Sequence, residues 1–299
     1  MSGHGPSAGQ RFQTLLDEQD VVVCPGAMNA LFARLIEASG FPAVYLSGAG
    51  VANGLLGQAD VGLTTLTELS QAAANTCAAV SVPVFADADT GFGGPANVER
   101  TVALYERAGV AAIQLEDQVV PKRCGHFEGK EVVSVREMVA RLRAAQASRA
   151  DSSLMIVART DARSVSGLDE ALERARAYAD AGADSLFVES PTSDEELERV
   201  GSELASTGLP LVANMVEGGK TPLHSASELA SLGFRIVIFP GFLTRLTVKA
   251  ALDGLATLRA GGDSRPLLDQ LMPFVSVQEI LGLPELTTRV ADYDAATPG

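Results

Sequence analysis

The 299-residue chain has no apolar run approaching the roughly 20 residues of a membrane span. Basic side chains are in deficit: 23 Lys and Arg stand against 37 Asp and Glu, for a net charge of −14. That argues against a nucleic-acid binder, which needs a basic face, and mainly favours solubility. The stretch from Met1 to Gln10 lacks the apolar core of a secretory leader, so a cytoplasmic protein is expected, bound to neither membrane nor nucleic acid. Only three cysteines occur, Cys24, Cys77 and Cys124, at spacings that make neither a metal site nor a disulfide framework. No domain-sized change of composition and no long linker interrupts the chain. One domain is expected over 1–299, with its core over about 12–261 and a helical extension and tail over 262–299.

What is present is an alternation. Short apolar runs at 21–24, 43–46, 82–87, 111–117, 154–160, 185–189, 210–214 and 235–239 read as strands. Helical patterns follow each of them, at 30–38, 66–80, 97–108, 135–148, 168–181, 194–206, 227–232 and 243–259. Strands alternating with helices imply a parallel sheet, and eight units fit an α/β fold of the closed (β/α)8 TIM-barrel type. An open doubly wound sheet is the rival, but the first strand-to-helix turn has no GxGxxG. Gly40, Gly109, Gly182 and Gly233 each follow a helical run, where C-cap glycines fall. Two connections are long, 47–65 and 118–134, and long loops at that end of a barrel carry function.

The chain turns on Asp87 and Asp89, which end the third strand just before Thr90-Gly91-Phe92-Gly93-Gly94. If the extended backbone continues, residues i and i+2 share a side and the two carboxylates converge. Converging carboxylates need a cation, and oxygen-only ligands suit Mg²⁺ or Mn²⁺. The plainer reading makes them helix-capping aspartates before Asn97. Other strand ends then matter, because catalytic residues of a barrel sit there. They carry Tyr45 and Ser47, Glu116 and Asp117, Arg159 and Asp161, Glu189, and Asn214, which look like a metal site beside an anion-binding arginine rather than a solvated rim. In the fourth loop, Lys122, Arg123 and His126 surround Cys124, where cations favour a thiolate. Gly125 beside it lets backbone approach a ligand closely. An exposed basic loop with an incidental cysteine is the alternative. Cys24 and Cys77 read as buried small hydrophobes.

Six segments together resemble the isocitrate lyase/phosphoenolpyruvate mutase superfamily: Tyr45-Leu46-Ser47-Gly48, Asp87-Ala88-Asp89-Thr90-Gly91-Phe92-Gly93, Leu115-Glu116-Asp117-Gln118, Lys122-Arg123-Cys124-Gly125-His126, Ala158-Arg159-Thr160-Asp161-Ala162 and Asn214-Met215-Val216-Glu217. The resemblance implies a barrel whose extra C-terminal helices are exchanged between subunits, usually in a homotetramer. It implies Mg²⁺ on Asp87 and Asp89, with Glu116 in the outer shell through water. Ser47, Gly48 and Arg159 would hold the pyruvate-like half of a carboxylate substrate, with Ala49, Gly125, Glu189 and Asn214 lining the same pocket. Arg245 matches a second carboxylate-binding arginine. Cys124 would be the proton donor of a carbon–carbon lyase acting on a small 2-hydroxy di- or tricarboxylate, of the methylisocitrate or alkylmalate type. Lys122 and His126 would assist, and Tyr45 is the candidate base. A phosphonomutase of the carboxyphosphonoenolpyruvate type and a non-catalytic ligand-binding barrel are the alternatives. Relatives that take three carboxylates follow Cys-Gly-His with an arginine. Here Phe127 follows His126, Phe274 lies in a C-terminal stretch without a cation, and Ala49 replaces a glycine, so an alkyl-substituted dicarboxylate is expected.

Overall fold

The computed structural model describes residues 5–125 and 129–296. Eight parallel strands close into a barrel: β1 (Val22–Ala27), β2 (Val44–Leu46), β3 (Val84–Asp87), β4 (Ala112–Glu116), β5 (Met155–Thr160), β6 (Ser185–Val188), β7 (Leu211–Asn214) and β8 (Phe234–Phe239). Closure is direct, because β1 pairs with β2 on one side and with β8 on the other. The strands are covered on both faces, which is why they read as unbroken apolar runs.

Each strand sends alternate side chains inward and outward. Outward residues such as Val44, Ile113, Ile156 and Leu186 pack under the helices together with Leu69, Leu142 and Leu172. Inward residues such as Val22, Phe85, Met155, Val157 and Ile236 fill the interior. The helix Ala8–Glu18 joins this interior group with Phe12 and Leu16, and the Phe12 and Phe85 rings lie 6.4 Å apart between centroids. It closes the N-terminal end of the barrel, and burying Phe12 alone is worth roughly 2–3 kcal/mol. The expected pattern had no helix there. Its start signal was present, since Ser7 and Gln10 form a reciprocal capping box.

The four expected C-cap glycines all have positive φ, from 85° to 98°. The long connection after β2 holds two unforeseen pieces, a short helix Gly48–Val51 and a π-helical segment Ala52–Leu56.

The chain divides into two compact units, one through Leu243 and one from Thr244 onward. The second comprises most of the helix Phe242–Gly261, the 3-10 turn Arg265–Gln270 and the helices Phe274–Ile280 and Leu283–Ala296. None of these elements has a buried residue, and Leu252, Leu255, Leu271 and Val275 are all exposed. No helix among the described residues is long and apolar enough to cross a membrane.

Candidate active site

Inward parity carries the site. Counting by twos up each strand leads from Phe85 to Asp87, from Gln114 to Glu116, from Val157 to Arg159, from Phe187 to Glu189 and from Val212 to Asn214, all buried at the C-terminal mouth. Tyr45 shares that parity one layer lower. Its hydroxyl donates to Gln114 Oε1 at 3.3 Å, and Gln114 Nε2 donates to Asp87 Oδ1 at 3.4 Å. Burial, followed by nearby Asp87, pushes the Tyr45 phenol well above its usual range. The phenolate that a base requires is therefore disfavoured, and the hydroxyl is placed to orient Gln114.

Asp87 and Asp89 do converge, but not by extension of the strand. Asp89 adopts a left-handed φ of 48°, and its N–H donates to Asp87 Oδ1 at 3.0 Å. A non-glycine residue held there stores strain of about 1–3 kcal/mol, a pattern that concentrates at functional sites. Neither aspartate caps a helix, since the helix Pro95–Ala108 starts from Gly94. Gly48 marks the meeting point. Its N–H donates to Asp87 Oδ2 at 3.3 Å, and a Cβ there would lie 2.8 Å from that oxygen and 3.2 Å from Asp89 Oδ1. Ser47 Oγ accepts from Gly50 N–H at 3.1 Å, which starts the helix containing Gly48 and Ala49.

Lys122 reaches into this cluster, 2.6 Å from Asp60 Oδ1 and 2.8 Å from Asp89 Oδ1. The second contact is an ion pair that misses good hydrogen-bond geometry, and among the described residues Asp89 Oδ1 has no other partner. Burial would lower the Lys122 pKa, but Asp89 first and then Glu116 and Asp60 hold it well above the usual ammonium range. Burial, partly offset by Lys122, lifts Asp89 to about 6. Burial likewise pushes the Glu116 carboxyl well up, although Arg159 opposes it.

The residues fit a hard divalent cation. The donors are all oxygen, and two buried carboxylate oxygens, Asp89 Oδ1 and Glu116 Oε1, lack hydrogen-bond partners among the described residues. Among the described residues no three ionisable ligands close into a cage by themselves. That suits Mg²⁺, which keeps several waters and takes one or two carboxylates.

Arg159 lies beside the acids. Its Nε and Nη2 donate to Asp161 at 2.9 and 3.0 Å, its Nη1 lies 3.2 Å from Glu189 Oε2, and its Nε is 3.4 Å from Glu116 Oε2. The guanidinium also stands 5.2 Å over the Phe187 ring. Asn214 Nδ2 donates to Glu189 Oε2 at 3.1 Å, leaving Asn214 Oδ1 buried without a hydrogen-bond partner.

The cysteine loop is seated on these groups. Cys124 N–H donates to the Asp60 carbonyl at 3.1 Å. A Cβ on Gly125 would lie 2.6 Å from Arg159 Nη2 and 2.7 Å from Glu189 Cδ, so only glycine fits there. Cys124 itself is half-buried, whereas burial pushes the thiols of Cys24 and Cys77 up, Cys77 to about 12. His126 and Phe127 lie outside the described residues. Arg245 belongs to the second unit, as does Phe274, which is 79 % exposed.

Four partners escaped the sequence reading as site residues: Asp60, Gln114, Lys130 and Ser190. Gln114 could have been found from its parity two residues before Glu116. Asp60, Lys130 and Ser190 act through loop contacts that no spacing announces. An apolar hollow lined by Val23, Leu35, Phe41, Phe239 and Phe242 has Glu217 as its only ionisable residue and offers none of this chemistry.

A family model described as phosphoenolpyruvate phosphomutase matches residues 12–259. The chain is 45 % identical over 287 residues to 2,3-dimethylmalate lyase of Eubacterium barkeri, covering 96 % of this chain and 98 % of that protein. It is 43 % identical to 2-methylisocitrate lyase of Aeropyrum pernix, covering 95 % and 90 %. Its structure superposes on oxaloacetate acetylhydrolase bound to 3,3-difluorooxalacetate with a TM-score of 0.91 at 37 % identity, covering 98 % and 99 %. On phosphonopyruvate hydrolase bound to oxalate and Mg²⁺ the TM-score is 0.85 at 28 % identity, covering 96 % and 99 %. The two sequence relatives, matched nearly end to end, are carbon–carbon lyases. With its eight-stranded barrel and this strand-end site, the chain belongs to the phosphoenolpyruvate mutase/isocitrate lyase superfamily.

Proposed function

We propose that the protein is a Mg²⁺-dependent lyase that cleaves an alkyl-substituted 2-hydroxy dicarboxylate into an α-keto acid and a smaller carboxylate. The observation that carries this reading is the placement of one thiol-bearing turn. Cys124 is pinned to Asp60, Lys122 enters the acidic cluster, and Gly125 rests on Arg159 and Glu189. A proton donor, a cation site and a carboxylate-binding arginine thus share one mouth.

Asp87 and Asp89 would hold the metal, with Glu116 beyond a water. When bound, Mg²⁺ supplies Lewis acidity and a template for the substrate oxygens. Asp161 takes Nε and Nη2 of Arg159 and Glu189 lies against Nη1, so a substrate carboxylate would meet the remaining Nη hydrogens in exchange for the Glu189 contact. Ser47, Gly48, Glu189 and Asn214 would border that group. A carboxylate of the mouth takes the 2-hydroxyl proton, and the oxygen closes to the keto group as the C–C bond breaks. The electrons of that bond stay on the departing carboxylate fragment, where Lys122 stabilises the charge that develops. The Cys124 thiol then protonates the carbon. Tyr45 serves from below, through Gln114, by fixing Asp87.

The test is a turnover assay with 2,3-dimethylmalate, 2-methylisocitrate, oxaloacetate and phosphoenolpyruvate, each with and without Mg²⁺. Release of an α-keto acid from a 2-hydroxy dicarboxylate supports the reading. A phosphonate product seen by ³¹P NMR would replace it with the phosphonomutase reading. The exposed apolar faces of the second unit fit a homotetramer with exchanged C-terminal helices.

A further inference from the structure

Lys130 has no part in the chemistry above, yet its side chain is only 1 % exposed and its ammonium meets the cysteine loop. It donates to Asp161 Oδ1 at 2.7 Å and also to the carbonyl of Gly125. Asp161, itself fully buried, is the residue that holds the Nε and Nη2 of Arg159. One ammonium therefore ties the residue after Cys124 to the residue that orients the arginine.

The Gly125 carbonyl has a second neighbour. Ser190 Oγ lies 3.3 Å from it, but also 2.8 Å from Glu189 Oε1, and one hydroxyl proton serves two acceptors. Ser190 is held at a left-handed φ of 58°, a conformation that costs a non-glycine residue energy. The ammonium is the stronger donor, and without it a buried carbonyl would depend on a shared proton. Gly125 cannot shift inward to compensate, because Arg159 and Glu189 already fill that space.

We infer that Lys130 is a positioning residue, which sets the distance between Cys124 and Arg159 by holding the Gly125 carbonyl and Asp161 together. This rests on the lyase reading, in which the Cys124 proton must reach a carbon of a substrate gripped by Arg159. A displacement of about 1 Å at such a site costs on the order of a hundredfold in rate.

Lys130→Met keeps the length of the side chain and removes the charge. Two quantities are read: kcat and KM for 2,3-dimethylmalate with Mg²⁺, and the rate at which iodoacetamide alkylates Cys124, located by peptide mass mapping. The expected result is a kcat lower by on the order of a hundredfold with KM changed by less than about fivefold. Cys124 alkylation should rise on the order of tenfold, because one buried hydrogen bond no longer restrains the turn. Cys24 and Cys77 should stay unlabelled, which separates a local release from general loosening. Ser190→Gly, which accepts the same backbone, should move both readouts in the same direction by less. If Lys130→Met does not fold, Lys130→Gln, which keeps a neutral donor but cannot reach both acceptors with a charge, decides the matter by the same two readouts. Unchanged Cys124 alkylation in the folded variants, whatever happens to kcat, would overturn the inference. If the native enzyme turns over none of the dicarboxylates, the lyase reading fails, and the alkylation rates still decide whether Lys130 holds Cys124.

Discussion

Arg159 and Asp161, two residues apart at the end of β5, form a two-pronged pair: Nε to Oδ2 at 2.9 Å and Nη2 to Oδ1 at 3.0 Å. The arginine is thus fixed by one edge before any substrate arrives. Lysine cannot reproduce a fork of this kind. Arg159→Lys should lower kcat/KM on the order of 10²–10³-fold while the circular dichroism spectrum stays native, since only charge-assisted hydrogen bonds are lost. Activity within a few fold of native would show that another group binds the carboxylate.

Asp87 and Asp89 both approach Gly48, and Asp89 holds a left-handed φ of 48° there. EDTA should abolish turnover and added Mg²⁺ should restore it. Asp87→Ala should be inactive yet fold, because a strand-end carboxylate contributes little to the core. Full turnover in metal-free buffer would remove the metal from the reaction.

Cys124 should act by giving a proton. Cys124→Ser should lose on the order of 10²–10⁴ in kcat, the scale of general acid–base catalysis. Mass spectrometry of the enzyme quenched during turnover should find no substrate adduct on the thiol. A trapped adduct would make it a nucleophile instead.

The positions of Asp87, Glu116, Arg159, Glu189 and Asn214 were legible because two simple regularities overlap: barrels do chemistry at strand ends, and side chains alternate. The strand and helix pattern was legible for the same periodic reasons. What escaped depends on contacts between distant loops. Nothing near Asp60 in the chain says that its carbonyl will meet Cys124, 64 residues later. The convergence of the two aspartates was anticipated for the wrong reason, because a left-handed residue cannot be read from a pattern that assumes an extended strand.

Arg159 and Lys130 outweigh burial and hold the Asp161 carboxyl down to about 2. A depressed carboxylate stabilises the fold above its unfolded pKa near 4, and that contribution fades as pH falls toward 2. For this group it amounts to about 2 kcal/mol at neutral pH. The stability gap between native enzyme and Asp161→Asn in urea should therefore be full at pH 6 and roughly halved near pH 3. A gap that does not change with pH would show that the carboxylate is not held in this way.

Specificity should follow the missing cation. A third carboxylate desolvated without a partner costs several kcal/mol, and about 3 kcal/mol is roughly a hundredfold. kcat/KM should therefore favour 2,3-dimethylmalate over 2-methylisocitrate by on the order of a hundredfold. Comparable values for the two would refute this, and Arg245 would then be the first residue to substitute.

The helix Ala8–Glu18 gives the barrel a floor made from the very start of the chain, at the end opposite the chemistry. An affinity tag placed before Ser7 would hang on the far side from the substrate mouth and should leave catalysis untouched. A deletion running through Leu16 is another matter. It would unstop the barrel and let solvent rise past Phe85 to Tyr45 and Gln114, wetting the strand-end carboxylates from underneath. An enzyme that loses activity when only its first sixteen residues are trimmed would be failing through a leak, with the residues at the C-terminal strand ends still in place.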